Sequence, residues 1–231
     1  MLKQYIELLK QFKNFTFDFA QYEEETRATE YGMYHFVNPL DNYWREHINF
    51  LNRYYSNECS RNIIMGLNPG KDGCNKTSVA FTDPTAARDI LRMNLPFDPI
   101  REPSSEKLYP IFLQEFNNDI SEFFNHYHLT NLLPYGVTKL GIVEQINVKF
   151  DKIISIPRFN EFASLHVHGL IDLFNPKFII AVGLDVQKFL RNILKNDYPD
   201  VIIIPAVHPA YNTHFTDVEK KRWGNILRTF K

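Results

Sequence analysis

The sequence predicts an α/β fold: a three-layer α/β/α arrangement with a central four-stranded parallel sheet, extended by helices at the N-terminus. Four short apolar runs occupy residues 62–65, 128–133, 177–183 and 201–207. Helical patterns separate these runs, and uninterrupted apolar runs are typical of strands that helices cover on both faces. Because no repeat, low-complexity tract or Gly/Ser-rich linker divides the 231 residues, we expect a single domain.

The N-terminal part of the chain carries two helical patterns. Leu2, Tyr5, Leu9 and Phe12 recur at helical spacing, and a second amphipathic stretch covers residues 41–55. Neither pattern alternates in the way that a strand would. We therefore expect residues 1–60 to form a helical part that packs on the core.

The remaining helices are predicted from capping residues and apolar periodicity. Asp83 followed by Pro84 is a typical helix start, and that helix is expected to end before Pro96. Asp185 is expected to cap the helix that follows the third apolar run. The same reasoning predicts further helices over residues 111–124, 161–174, 185–196 and 217–230, whereas residues 136–160 show no assignable pattern.

Composition excludes several classes of protein. The 26 basic and 27 acidic residues leave a net charge of −1, so any contact with nucleic acid must use a local patch. Cys59 and Cys74 are too few for a disulfide framework, a four-thiolate zinc site or an iron–sulfur cluster. No apolar run approaches the roughly 20 residues of a membrane span, and no leader pattern is visible. We expect a soluble monomer without a membrane partner, located in the cytoplasm with the bacterial nucleoid, or in a eukaryotic nucleus.

Polar residues follow three of the four predicted strands. The first strand runs into a turn at residues 66–70, the second carries Asn131 near its end, and the fourth leads to His208 and Pro209. Each group alone is more often a turn than a site, because Asn, Gly and Pro favour turns. Since ligands bind beyond the carboxyl ends of parallel strands, the three groups together predict a site at one rim.

Two common alternatives for this site are excluded by spacing. The glycines Gly66 and Gly70 enclose three residues rather than four, and Lys71 precedes Asp72 instead of a hydroxyl residue, so the phosphate-loop pattern is absent. His126 and His128 have no third ligand nearby in the sequence. We therefore expect neither a bound metal nor a cofactor.

At these residues the chain resembles the uracil-DNA glycosylase superfamily, and within it most closely the single-strand-selective monofunctional branch. That branch carries the motif G-M-N-P-G-P-F-G-M-A-Q-T-G-V-P-F-G-E, which aligns without a gap with residues 66–83. The second family motif corresponds to residues 131–134, and the third, His-Pro-Ser-Pro, to residues 208–211. The matched span covers about two thirds of the chain, and its strands agree with the predicted sheet.

The resemblance implies a role for each matched side chain. Asn68 would position the attacking water, and His208 would hydrogen-bond the anion that develops on the departing base. Asn131 offers a donor and an acceptor that match the O4 and N3–H edge of uracil, and Phe81 would stack on the flipped base. The base pocket implied by the resemblance is completed by Gly66, Leu67, Pro69 and Gly70.

The resemblance also implies contacts with DNA, and here the chain departs from the family pattern. Lys71 and Asp72 replace Pro-Phe, Ser78 replaces a glycine, and Ala210-Tyr211 replaces Ser-Pro. The lysines are expected to meet phosphates, and the loop after His208 to enter the duplex with Tyr211 as a wedge. The DNA-contacting residues predicted in this way are Lys71, Lys76, Pro209, Ala210, Tyr211 and Asn212.

The leading hypothesis is a monofunctional glycosylase that removes uracil, including 5-modified or other deaminated bases, from DNA. Two alternatives stay open at this point. The main lesion could instead be xanthine or a mismatched thymine, or the chain could be a catalytically silent nucleic-acid-binding module. The near-neutral charge and the altered His-Pro loop favour the silent module, whereas the presence of Asn68, Asn131 and His208 together argues against it.

Overall fold

A computed structural model describes residues 1–27, 29–142, 144–210 and 214–230. Its strands are β1 (Tyr34–Val37), β2 (Asn62–Gly66), β3 (Tyr127–Asn131), β4 (Gly136–Leu140), β5 (Gln145–Asn147), β6 (Phe178–Val182) and β7 (Ile202–Ala206). The helices are α1 (Leu2–Lys13), α2 (Phe19–Thr26), α3 (Pro39–Asn42), α4 (Trp44–Tyr54), α5 (Cys74–Thr77), α6 (Pro84–Asp89), α7 (Pro103–Glu115), α8 (Ile120–His126), α9 (Phe150–Ile154), α10 (Pro157–Phe174), α11 (Leu184–Asp197) and α12 (Asp217–Thr229).

The predicted parallel sheet is confirmed. Its order is β3-β2-β6-β7, with every neighbouring pair parallel. The register pairs Gly66 with Asn131 and Val182 with Ala206, so the carboxyl ends of the four strands share one edge. Strands β3 and β6 are buried throughout, as their apolar runs predict, whereas β7 at the sheet edge is largely open.

Helices flank this sheet, in agreement with the predicted three layers. Helix α11 packs on β6 and β7, and α12 packs on α7. The N-terminal part docks through α1, which packs on α10, and through the Phe15 ring, whose centroid lies 4.4 Å from that of Phe162. No helix in the described ranges is both long and apolar enough to cross a membrane.

A second sheet was not predicted. Strand β1 pairs antiparallel with β4, and β4 pairs antiparallel with β5. The expectation of a purely helical N-terminal part is therefore wrong at residues 34–37. The reason is that β1 obtains its partner from residues about a hundred positions later, and a pairing over this distance leaves no local periodicity.

Two helix predictions are also wrong in detail. The helix expected over residues 111–124 is instead two helices, α7 and α8, because Pro103 occupies a first-turn position and Asn117 and Asn118 adopt left-handed backbone angles between them. Asp185 does not cap α11. Gly183, with φ of +99°, is the N-cap, and Asp185 lies in the first turn.

Candidate active site

One cleft lies beyond the carboxyl edge of the parallel sheet and encloses about 1290 Å³. Leu67, Asn68 and Gly70 of the loop after β2 line it, together with Asn131 at the end of β3 and His208 after β7. The structure thus brings together the groups from three strand ends that the sequence placed on one rim. This position is where open parallel sheets bind ligands.

The other predicted site residues take several positions around this cleft. Phe81 and Ala210 line it as well, and Gly66 lies directly beneath Asn131 and Phe81. The side chains that do not line the cleft are Pro69, Lys71, Lys76 and Pro209. Tyr211 and Asn212 lie outside the described residues, so the predicted wedge stays a prediction.

Residues 66–83, called the first loop below, carry Phe81 in an unusual backbone conformation. Phe81 has φ of 57° and Ser78 has φ of 61°, in the left-handed region that side chains other than glycine disfavour. Buried hydrogen bonds hold this path: the Thr77 hydroxyl donates to the Thr82 carbonyl at 2.8 Å, and the Thr82 and Tyr109 hydroxyls lie 2.7 Å apart. The ring of Phe81 is therefore fixed at the cleft by its backbone as well as by packing.

Gly66 permits the closest approach in the site. A Cβ atom at this position would lie 2.5 Å from Asn131 Oδ1 and 2.8 Å from Phe81 Cζ. Real Cβ contacts are longer, so any side chain at residue 66 would displace one of these groups. The glycine therefore lets the amide of Asn131 and the ring of Phe81 meet over the end of β2.

Asn131 is buried, and its amide is oriented by its neighbours. Its Nδ2 donates to the Cys74 thiol at 3.7 Å, while Leu132 N donates to the Gly66 carbonyl at 2.9 Å. From behind, His166 Nδ1 lies 3.2 Å from the Leu132 carbonyl and donates to it. Burial lowers the pKa of His166 to about 4, so the imidazole that supports Asn131 is neutral at pH 7.

His208 is also neutral, and its tautomer follows from its contacts. Burial lowers its pKa to about 4, and the nearby charge of Lys107 adds to the fall. Ala210 N donates to His208 Nδ1 at 3.2 Å, so this nitrogen carries a lone pair and the proton resides on Nε2. His208 can therefore act as a neutral hydrogen-bond donor.

The amide of Asn68 makes no hydrogen bond with any residue in the described parts of the chain, although its side chain lines the cleft. Its neighbours are held tightly, since Leu133 N donates to the Leu67 carbonyl at 3.1 Å and Asn75 N donates to the Gly70 carbonyl at 3.1 Å. An amide that faces the cleft from a fixed backbone is suited to binding a water molecule.

Lys71 and Lys76 are engaged within the protein. Lys71 Nζ lies 2.5 Å from Glu144 and 3.1 Å from Asp72, and Lys76 Nζ lies 2.9 Å from Asp72. The hydrogen bonds that Lys71 donates to Glu144 and Asp72 raise its pKa. A phosphate would have to compete with these carboxylates, so the contact of either lysine with DNA stays a prediction.

Among the cleft residues that the sequence reasoning missed are Cys74, Glu102 and Asn147. The side chain of Glu102 accepts from Ser105 N and thereby caps α7, and burial raises the pKa of this carboxyl. An acidic residue before Pro103 was a usable capping signal, whereas Asn147 lies in the segment that showed no pattern. In the described ranges, no three His, Cys, Asp or Glu side chains are grouped as a metal site requires.

Comparison with known proteins agrees with this geometry. The family model described as the Uracil DNA glycosylase superfamily matches residues 53–227. This span includes β2, β3, β6 and β7 and every residue named above as lining the cleft. Among curated proteins, none matches the sequence significantly.

Similar folds are found among solved structures. The structure of wild-type SMUG2 from Pedobacter heparinus superposes with a TM-score of 0.78 at 18% identity, over 99% of this chain and 95% of that one. A likeness at this identity establishes the shared fold. The mimivirus uracil-DNA glycosylase superposes with a TM-score of 0.43 at 14% identity, over 90% of this chain and 69% of that one.

Proposed function

Since this chain belongs to the uracil DNA glycosylase superfamily and is a DNA glycosylase, an enzyme that hydrolyses N-glycosidic bonds, we propose that it removes uracil from DNA and so starts base excision repair. The observation that carries the proposal is the meeting of Asn68, Phe81, Asn131 and His208 in one cleft. Together these four residues supply what the reaction needs: a site for water, a ring to stack on, a reader of the base edge and a donor for the leaving anion.

The chemistry assigns a separate task to each of two residues. Breaking the bond builds positive charge on the sugar and negative charge on the departing pyrimidine. Asn68 holds the attacking water through its side-chain oxygen. His208 donates from Nε2 to a carbonyl oxygen of the base, and because it is neutral it stabilises the anion without a prior proton transfer.

Recognition of the base falls to Asn131 and Phe81. The Asn131 amide presents Nδ2 to O4 and Oδ1 to N3–H of uracil, whereas cytosine carries the opposite pattern of donor and acceptor. Phe81 stacks on the flipped base. Ala210, which lines the cleft, and the neighbouring Pro209 are proposed to contact the DNA strand.

The test is glycosylase activity on labelled oligonucleotides that carry one uracil in a single strand, a U:G pair or a U:A pair, with alkali to reveal abasic sites. We expect the wild-type chain to excise uracil and Asn68→Ala to have a glycosylase rate that is lower by on the order of 10³-fold. Asn94→Ala, at an exposed position away from the cleft, is the matched control and should retain full activity.

A wild-type chain that cleaves none of the three substrates would overturn the choice of uracil. A panel with xanthine and mismatched thymine would then identify another lesion, and binding without any cleavage would indicate the silent module.

A further inference from the structure

The backbone of the first loop is restrained on both sides of Asn68. Upstream, the main-chain amides of Leu132 and Leu133 donate to the carbonyls of Gly66 and Leu67 at 2.9 and 3.1 Å. These bonds extend the β2–β3 pairing to the residue before Asn68. The upstream restraint is therefore part of the parallel sheet itself.

The downstream restraint comes from the second sheet. Lys71 N donates to Asn147 Oδ1 at 3.1 Å, and Lys71 Nζ pairs with Glu144 at 2.5 Å. Asn147 ends β5 and Glu144 immediately precedes it, so the β4–β5 hairpin contacts the loop through both the backbone and the side chain of one residue. Asn147 also lines the cleft, and its Nδ2 lies 4.0 Å from the position that a Cβ of Gly70 would occupy.

Residue 71 requires this outside support for a chemical reason. The aligned family motif has proline here, which fixes φ and has no N–H. Lys71 leaves the backbone free to rotate and adds a donor that needs a partner. Asn147 accepts from that donor and thereby restores the restraint that a proline ring would supply.

We propose that Asn147, assisted by Glu144, is a positioning residue for the glycosylase reaction, which holds the loop so that Asn68 presents its amide oxygen to the attacking water. The proposal rests on the function proposed above. Asn147 acts through the backbone of Lys71 and does not itself touch the reacting atoms.

The location of Asn147 separates this role from a contribution to stability. All three residues of β5 are exposed, and the side chain of Asn147 fills no part of the hydrophobic core. Its removal should therefore leave the midpoint of thermal unfolding unchanged. A small displacement of a catalytic group, in contrast, lowers the rate steeply.

The experiment compares Asn147→Ala with Asn147→Asp, which keeps an acceptor oxygen for Lys71 N. The matched control is Gln145→Ala on the same strand, where the side-chain amide accepts from the Thr138 hydroxyl at 3.5 Å instead of contacting the loop. Single-turnover rates are measured at saturating enzyme on single-stranded uracil DNA. Hydrogen exchange of the peptide that contains the Lys71 amide provides a readout that needs no substrate.

We expect Asn147→Ala to lower the single-turnover rate about 10- to 100-fold with unchanged half-saturation, and to lose protection at Lys71. Asn147→Asp should retain the wild-type rate and the protection at Lys71, and Gln145→Ala should alter neither of these two quantities. Wild-type rates in Asn147→Ala, beside an active wild-type enzyme, would overturn the positioning role. An inactive wild-type enzyme would instead count against the proposed function, and hydrogen exchange would then decide whether Asn147 holds the loop.

Discussion

The two halves of the cleft are built differently. The first loop is almost entirely buried from Gly73 to Asp83. Its path is fixed by hydrogen bonds within it, by those that it accepts from the two residues after β3, and by the one that it donates to Asn147 of β5. The segment Val207–Ala210, called the His-Pro segment below, follows the open edge strand β7. Distant helices hold it: Lys107 on α7 donates to the Pro209 carbonyl at 2.6 Å, and Trp223 on α12 donates to the Val207 carbonyl at 3.3 Å.

The difference fits what the proposed reaction requires of each half. That reaction needs a water molecule and a base edge placed within a fraction of an ångström, and this accuracy requires buried, mutually supporting bonds. In the same proposal the His-Pro segment presents one donor, His208, while DNA approaches the edge of the sheet. A few hydrogen bonds from α7 and α12, which are distant in the sequence, suffice for this task, and they leave the edge strand accessible.

The largest effect that sharpens this comparison is expected for His208→Ala. Loss of a donor to the leaving anion should lower the single-turnover rate by about 10² to 10³-fold with little change in DNA affinity. Single-turnover kinetics and fluorescence anisotropy measure the two quantities separately. His208→Gln keeps an N–H donor and should recover part of the rate. If affinity falls while the rate holds, the His-Pro segment binds DNA and does no chemistry.

The next largest effect is expected in the first loop, where Gly66→Ala should lower the single-turnover rate of uracil excision by about 10²-fold. The new Cβ must displace Asn131 Oδ1 or Phe81 Cζ, which lie 2.5 and 2.8 Å from its position. Gly32→Ala, whose Cβ would meet nothing closer than 3.4 Å, serves as the control and should be fully active. Normal uracil excision by Gly66→Ala would show that this half tolerates displacement, and the contrast between the halves would fail.

A smaller effect is expected at the contact between the N-terminal part and the first loop. His47 Nδ1 lies 3.0 Å from the Ser78 hydroxyl and donates to it, since that hydroxyl itself donates to the Thr77 carbonyl. His47→Ala should lower the free energy of unfolding by about 1–3 kcal/mol, as measured by urea titration. Ser78→Gly in the same chain should recover part of this loss, because glycine adopts φ of 61° without strain. A free energy of unfolding that is unchanged in His47→Ala would mean that this contact does not support the first loop.

The lowered pKa values of the buried histidines should be visible in the pH dependence of the rate and of the free energy of unfolding. With the pKa of His208 at about 4 instead of 6.5, His208 stays neutral, and the rate should remain flat from pH 8 to about pH 5 and fall near pH 4. The pKa of His47 and of His166 is also lowered to about 4 in the folded chain, so the unfolded chain binds protons first as the pH falls. The free energy of unfolding is therefore largest above pH 6.5 and declines between pH 6.5 and 4.

Lys107→Met tests the cause of the His208 shift. Removal of this cation should raise the pKa of His208 and move the acid limb of the rate profile upward, by less than the shift that burial produces. If the rate of the wild-type enzyme already fell at pH 6.5, the assignment of His208 as neutral at pH 7 would be contradicted.

The smallest effect is expected for Lys71→Met. Glu144 and Asp72 already neutralise this ammonium group. One phosphate contact to a single strand contributes about 0.7 to the slope of log affinity against log salt concentration. The substitution should therefore change this slope by clearly less than that value. A change of the full amount, measured by anisotropy between 50 and 200 mM salt, would assign Lys71 to the DNA interface and weaken the view that its ammonium group serves to hold the first loop.

Much of the parallel sheet could be predicted because its signals are local. Each strand is a short apolar run with a turn residue near its end, and Asn68, Asn131 and His208 lie at those ends or within two residues of them. Parallel strands share one edge, so a linear pattern was enough to place the three residues together. The two-helix structure of residues 103–126 was missed because the break at Asn117 depends on left-handed angles that no periodicity reveals.

The sequence by itself determined the class of fold and the edge of the sheet at which the candidate site residues meet, since apolar periodicity and residue type are properties of single segments. Only the tertiary structure decided which groups hold those residues in place. Asn147, His47 and His166 reach the site from segments far apart in the chain, and a lone polar residue in such a segment carries no mark of its partner. The protonation of His208 was decided in the same way, because burial by neighbouring elements sets its pKa.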